Sequence, residues 1–541
     1  MTPLDPVGVV DGEWDNEAWW STSNMGEAVP GVLTPLNWTF WGQSSEHALR
    51  RAFVSFGALE KAHVQVPIDS AQRIMGVFHG RLAAKVSFLG DMGDRLPGTT
   101  GAAVAEQILG TLPDDFRSRP TRRRLPIIAA RLPAAALSAP TRVRRLRTTT
   151  TRWWENQVSS VGRMDLGAAR ARFEAALQRF DDAMYTHITC TFAVVQPLYD
   201  QIHRLAERVG EPDLADQVLA GQGMHVELDM VDDLWELSRD RLALTEFLRR
   251  HGYHGPNEGE IASRVWREDA APVVSLANGY ARRSERERPE AAMRRRVEQR
   301  RAAEMRLLAR IPRSRRAGAR LALGLAARYV PLRGVGKIAY LQVLDVARAA
   351  ARRAGEELAR AGVLVDPDDA AYLTARELLR LGRTDRAKTV VAERRRLHEQ
   401  YLTEALPGSW RGLPAIAPGS VVPSCQGLVL RGVGASAGVI EGRARVVLNP
   451  DFVDVDANEI LIAPFTDPSW ASVMFTSAAL VVDIGGVLSH AAVVARELGI
   501  PCVMGTGDGT RRISTGDWCR VDGSNGTLEI IRAADHSDPQ Q

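Results

Sequence analysis

Over most of residues 1–405, apolar residues recur at spacings of three and four, with arginine and glutamate between them. "ALRRAFVSFGALEKA", "MVDDLWELSRDRLALTEFLRRHG" and "IAYLQVLDVARAAARRAGEELARAG" are typical, and this spacing predicts amphipathic helices. The early stretch "WDNEAWWSTSNMGEAVPGVLTPLNWTFWG" does not fit one helix. Its prolines, glycines and five tryptophans predict a structured loop packed under aromatic rings.

Between 406 and 432 the composition shifts to proline, glycine and serine, which predicts a semi-rigid hinge linker. From 433 to 533 the pattern changes to short apolar runs separated by turns: "ARVVL", "EILIAPF", "ALVVDI", "PCVMGTG", "WCRVDG" and "GTLEII". These predict strands, with "SHAAVVARELG" as the clearest helix. The expected organisation is therefore multidomain: a large, mainly α-helical domain (1–405), a linker (406–432), a compact α/β domain (433–533) and a disordered tail (534–541).

Composition narrows the function classes. The formal charge is +4 over 541 residues, and basic positions are nearly all arginine. Two arginine-rich stretches, 117–147 and 280–320, have irregular spacing and carry no recognition motif, so solvated helical faces are expected rather than nucleic-acid binding. The four cysteines form no CxxC pair, which predicts neither a metal site nor a disulfide framework. The first residues lack a basic flank before an apolar core, and no apolar run reaches about 18 residues. A soluble, cytoplasmic protein without a membrane partner is expected.

The candidate chemistry lies in "VVDIGGVLSHAAVVARELGIPCVMGTG", residues 481–507. Gly485 and Gly486 permit close backbone approach. Ser489 is placed to cap a helix, and His490 then falls in its first turn. The free amides and positive dipole end of a helix start attract anions and disfavour imidazolium. A neutral imidazole there can take a phosphoryl group as a nucleophile. A histidine that only helps to cap the helix fits "GGxxSH" equally well.

The longer stretch "DIGGVLSHAAVVARELGIPCVMGTGDGT", with "GASAGVIEGRARVV" before it and "STGDWCRVDGSNGTLEI" after it, resembles the phosphohistidine swivel domain of the phosphoenolpyruvate-utilising enzymes. The resemblance implies that His490 carries phosphate and that Gly485, Gly486, Ser489 and Arg496 bind it. A swivel at the C-terminal end of the chain is similar to the rifampin phosphotransferases. "WWSTSNMGEAVPGVLTPLNWTF", "HGYHGPNEGEIASRVWRED" and "LVDPDDAAYLTARELLRL" resemble segments of their substrate-binding domain.

That resemblance implies a split phosphotransferase. A separate ATP-grasp partner would bind ATP and Mg2+ and charge His490, while this chain alone would bind no cofactor. The swivel would then deliver the phosphoryl group to a hydroxyl of a small organic substrate in the helical domain. The related R-E-x-x-K element corresponds to "RGVGK", so Arg333 and Lys337 would neutralise the transferring group, while the glutamate is replaced by Gly334. His254 is a further candidate base, and His251, Glu258 and Glu260 share its segment. Phosphorylation followed by elimination, making the protein a dehydratase, and a non-catalytic scaffold are the alternatives.

Overall fold

The computed structural model describes residues 14–534 except 23–24, 26–27, 30, 110–111, 113–114, 213, 220–224, 286–287, 383–385, 419–424, 449–457, 467–469, 475 and 486–489. The chain forms two compact units that are interleaved in sequence. The first comprises Met1–Ala193, Asn257–Arg264 and Val335–Gly419; the second comprises Val194–Pro256, Val265–Gly334 and Ser420–Gln541.

The first unit is mainly helical. Thr34 caps the helix Pro35–Phe56 by accepting from the Asn37 amide, Pro35 supplies a preset φ at the first turn, and Gly57 at φ 83° ends it. Phe40 and Trp41 on this helix pack in tilted and edge-on arrangements against Phe173 and Phe180 of the helix Leu166–Cys190, at ring separations of 4.8–5.6 Å. The 34-residue helix Leu125–Val158 continues through Pro133 and Pro140.

The helix Leu332–Arg360 starts in the second unit and belongs to the first from Val335 on, and it is buried on every side from Ile338 to Ala351. A helix without a solvent face must satisfy its own polar groups. Asp345 accepts from Trp154 Nε1 at 2.7 Å and lies 3.5 Å from Arg348 Nη1. The tryptophan-rich start is not all loop. Trp19–Ser21 forms a strand in a four-stranded antiparallel sheet with Met75–Phe78, Arg81–Lys85 and Ser409–Arg411. Trp14, Trp20, Phe78 and Trp410 meet there with ring separations of 5.1–6.1 Å.

The second unit joins helices to an α/β region. Trp235, Phe247, Trp266, Val273 and Tyr280 form the core of its helical part. Its eight-stranded sheet runs Val429–Arg431, Thr527–Arg532, Trp518–Asp522, Val439–Val446, Glu459–Ala463, Ala479–Val482, Cys502–Met504, Val433–Ser436. The fourth to seventh of these are parallel, with Ile460 opposite Ala479 and Leu480 opposite Cys502. Each of the six apolar runs read as strands overlaps one. The central runs are apolar throughout because both sheet faces are covered: Leu461, Leu480 and Met504 point into one core and Ile460, Val481 and Val503 into the other.

The 406–432 segment departs from the linker expectation. Ser409–Arg411 pairs with Trp19–Ser21, Ala417–Pro418 pairs with Glu404–Ala405, and Val429–Arg431 pairs with Thr527–Glu529. Its central residues, 419–424, lie outside the described residues, as do 535–541 of the expected tail. No described helix is long and apolar enough to cross a membrane.

Candidate functional site

The strand Ala479–Val482 delivers the chain to the loop that precedes His490. At its end the Asp483 amide donates to Ala463 O and the Ile484 amide to Pro464 O, each at 3.0 Å. The Asp483 carboxylate accepts from Thr506 Oγ1 at 2.8 Å, from the Thr510 amide at 3.1 Å and from Thr510 Oγ1. Burial pushes this carboxyl upward from its ordinary value, against those hydrogen bonds. The pattern ties the strand end to the 505–510 turn and fixes where the next residues start.

Gly485 then takes φ 142°, a conformation that side chains rarely adopt, and its carbonyl lies against Gly505. Gly486 and Ser489 lie outside the described residues. The helix His490–Leu498 starts at the histidine, so residue 490 occupies its first turn; the His490 side chain is also outside the described residues. Ala491, Ala492, Val494, Ala495 and Leu498 bury one face of this helix against Trp470, Met474, Leu480 and Cys502. Alanines allow close approach to the sheet, which anchors a short helix that propensity alone would leave marginal. At its last turn Arg496 Nε lies 3.2 Å from Asp216 Oδ1, on the helix Leu214–Leu219 of the same unit.

Arg333 and Lys337, four residues apart on the helix Leu332–Arg360, share a helical face. Both are half-buried. His254 is placed differently. It is 3% exposed, with its ring 4.2 Å from Tyr253 and 5.7 Å from Trp266, and its carbonyl accepts from the Trp266 amide. His251 Nε2 lies 2.8 Å from Asp233 Oδ2, and burial holds its pKa below the ordinary histidine value. These two histidines belong to the second unit, whereas Glu258 and Glu260 belong to the first.

The mobile domain of the PEP-utilising enzymes matches residues 455–526, which include Gly485, His490 and Arg496. The fourth domain of rifampicin phosphotransferase matches residues 239–334. Over part of its length the chain is similar to the rifampicin phosphotransferases. The enzyme of that name from Streptomyces sviceus is 32% identical over 327 residues, covering 56% of this chain and 36% of the relative. The one from Bacillus subtilis is 29% identical over 322 residues, covering 54% and 35%. The phosphoenolpyruvate synthase of Aeropyrum pernix is 45% identical over 109 residues, covering 20% of this chain and 13% of that enzyme. The alignments thus span about a third of each rifampicin phosphotransferase.

The rifampicin phosphotransferase resemblance bears on His490 and on the helical segment holding His254 and Arg333. Asp216, Asp483 and Arg348 were not singled out by sequence. Asp216 and Arg348 sit in helical patterns where a charged residue reads as a solvent-facing position. Asp483 immediately precedes "IGG", and its place at the end of a buried apolar run was the available signal.

Proposed function

We propose that this chain is the phosphoryl-carrying part of a phosphotransferase. His490 accepts a phosphoryl group from an ATP-grasp module on a separate protein, where ATP and Mg2+ bind. It passes the group to a hydroxyl of a small organic acceptor. The reading rests on one observation above the others: the PEP-utilising mobile-domain match encloses both Gly485, at φ 142°, and a helix that begins at His490. Amides at that helix start favour the anionic phosphoryl group, and a neutral imidazole is the nucleophile. Arg333 and Lys337 supply positive charge to the group in flight, where catalysis consists mostly of positioning and charge neutralisation.

The test supplies the chain with radiolabelled ATP, with and without a stand-alone ATP-grasp protein, and then with rifampicin as the first acceptor probe. Label on the chain that requires the second protein supports the split arrangement. Label from ATP alone contradicts that part of the reading. Product mass separates the chemistries, since a phosphate ester gains phosphate and a dehydration product loses water.

A further inference from the structure

The arginine-rich stretch 117–147 has no part in the chemistry above, and the structure lays it out along one surface. From Phe116 to Trp154 the chain holds eleven arginines and no acidic residue. Most of this stretch is the helix Leu125–Val158. Ile128, Ala135, Ala139, Val143 and Trp154 are buried on one side of it, and the helix packs on the helices Pro35–Phe56 and Leu166–Cys190. The other side is open. Ile127, Ala130, Ala134, Leu137, Thr141 and Arg145, spaced by three and four, are all exposed and form one stripe.

The stripe changes character in blocks. Between Pro126 and Leu137 it is apolar for about 17 Å, at 1.5 Å per residue, with Leu137 82% and Ile127 40% exposed. Arg131 is the one charged residue in that span, and its Nη1 turns back to the Val54 carbonyl at 3.5 Å. Arg122 and Arg123 stand before the apolar block, and Arg144, Arg145 and Arg147 after it. These five are exposed and make no ion pair among the described residues. By contrast, Arg124 reaches Glu60 Oε1 at 2.9 Å and Arg142 reaches the Tyr185 hydroxyl at 3.2 Å.

We propose that this face of the helix Leu125–Val158 docks on an anionic lipid surface, a role independent of the phosphoryl-carrier reading. The arginines meet the phospholipid headgroups, and Leu137 and Ile127 enter the apolar layer beneath them. Charge complementarity selects the class of partner: five exposed guanidiniums, with no carboxylate in their stretch, attract a polyanion. The apolar block selects further. It sets leucine, isoleucine and alanine where a nucleic-acid backbone offers phosphate and sugar. A folded acidic protein is commonly held by aromatic anchors seated in pockets, and the helix has no aromatic residue from Ile127 to Arg147. A fluid lipid surface requires no shape match, and a helix lying on it needs no spanning length.

The experiment mixes the full chain with vesicles of phosphatidylcholine alone, or of phosphatidylcholine with phosphatidylglycerol, and sediments them at low and high sodium chloride. The chain should sediment with the anionic vesicles, stay in solution with the neutral ones and be released by salt. Replacing Arg144, Arg145 and Arg147 together by glutamine should weaken binding about a hundredfold. Leu137→Ser should weaken it about tenfold and leave its dependence on phosphatidylglycerol in place. All these positions are exposed, and urea midpoints equal to that of wild type show that the variants are folded. A wild-type chain that ignores the anionic vesicles overturns the proposal, and so does equal binding by the arginine variant. Leu137→Ser binding as tightly as wild type, with a DNA duplex bound more tightly than the vesicles, overturns it in favour of a nucleic acid.

Discussion

Replacing Glu258, which is 2% exposed, by glutamine tests the effect of burial on a carboxyl without any substrate. The Glu258 carboxyl ionises at about 7 in the folded chain, against 4.5 for an ordinary glutamate. Each pH unit of that difference is worth about 1.4 kcal/mol, so ionised Glu258 makes the fold about 3 kcal/mol less stable than its protonated form does. Because the folded value is raised, this contribution is fully present below pH 4.5 and is lost as pH rises through about 7. Glutamine keeps the shape and never ionises. Between pH 5 and 8.5 the stability difference between wild type and Glu258→Gln should therefore change by about 2 to 3 kcal/mol in the variant's favour, read from urea midpoints. A pH-stat gives an independent measure: on unfolding at pH 7, wild type should release about half a proton more per chain than the variant. Glu260 and Asp483, also pushed upward by burial, are common to both proteins and cancel in the comparison. Parallel pH profiles and equal proton release would refute the reasoning.

Two further substitutions probe the frames around the sites. Gly259→Ala should destabilise the first unit by about 1 to 3 kcal/mol, because its Cβ meets the rigid Ala28 carbonyl; an unchanged urea midpoint would show that the segment yields instead. Asp216→Asn and Arg496→Gln should be coupled by about 1 kcal/mol in a double-mutant cycle on unfolding, since Arg496 is largely buried and Asp216 is partly exposed. Strict additivity would mean that the pair does not hold the His490 helix.

The α/β region was legible because its strands are buried on both faces and read as unbroken apolar runs, and because alanine and valine at helical spacing marked 490–498. The 406–432 segment misled because proline and glycine also occur at strand ends and sheet edges, where a missing amide is tolerated. Ala417–Pro418 is such a case, and Gly432 directly follows the edge strand Val429–Arg431. The interleaving of two units was not legible, because long-range packing sets it and helical periodicity is the same in both. For the candidate site, the spacing around His490 carried the signal. The burial of Glu258 did not show, because "PNEGEIAS" has the composition of an exposed loop; Trp41 and Arg348, distant in sequence, enclose it.

The central claim is that His490 carries the phosphoryl group, and labelling of the chain with a phosphoryl donor tests it most directly. The account predicts acid-labile, alkali-stable label that maps to the peptide containing His490, is absent in His490→Ala, and leaves the chain when an acceptor is added. Equal labelling of His490→Ala, or no label from ATP with an ATP-grasp partner and none from phosphoramidate, would contradict it.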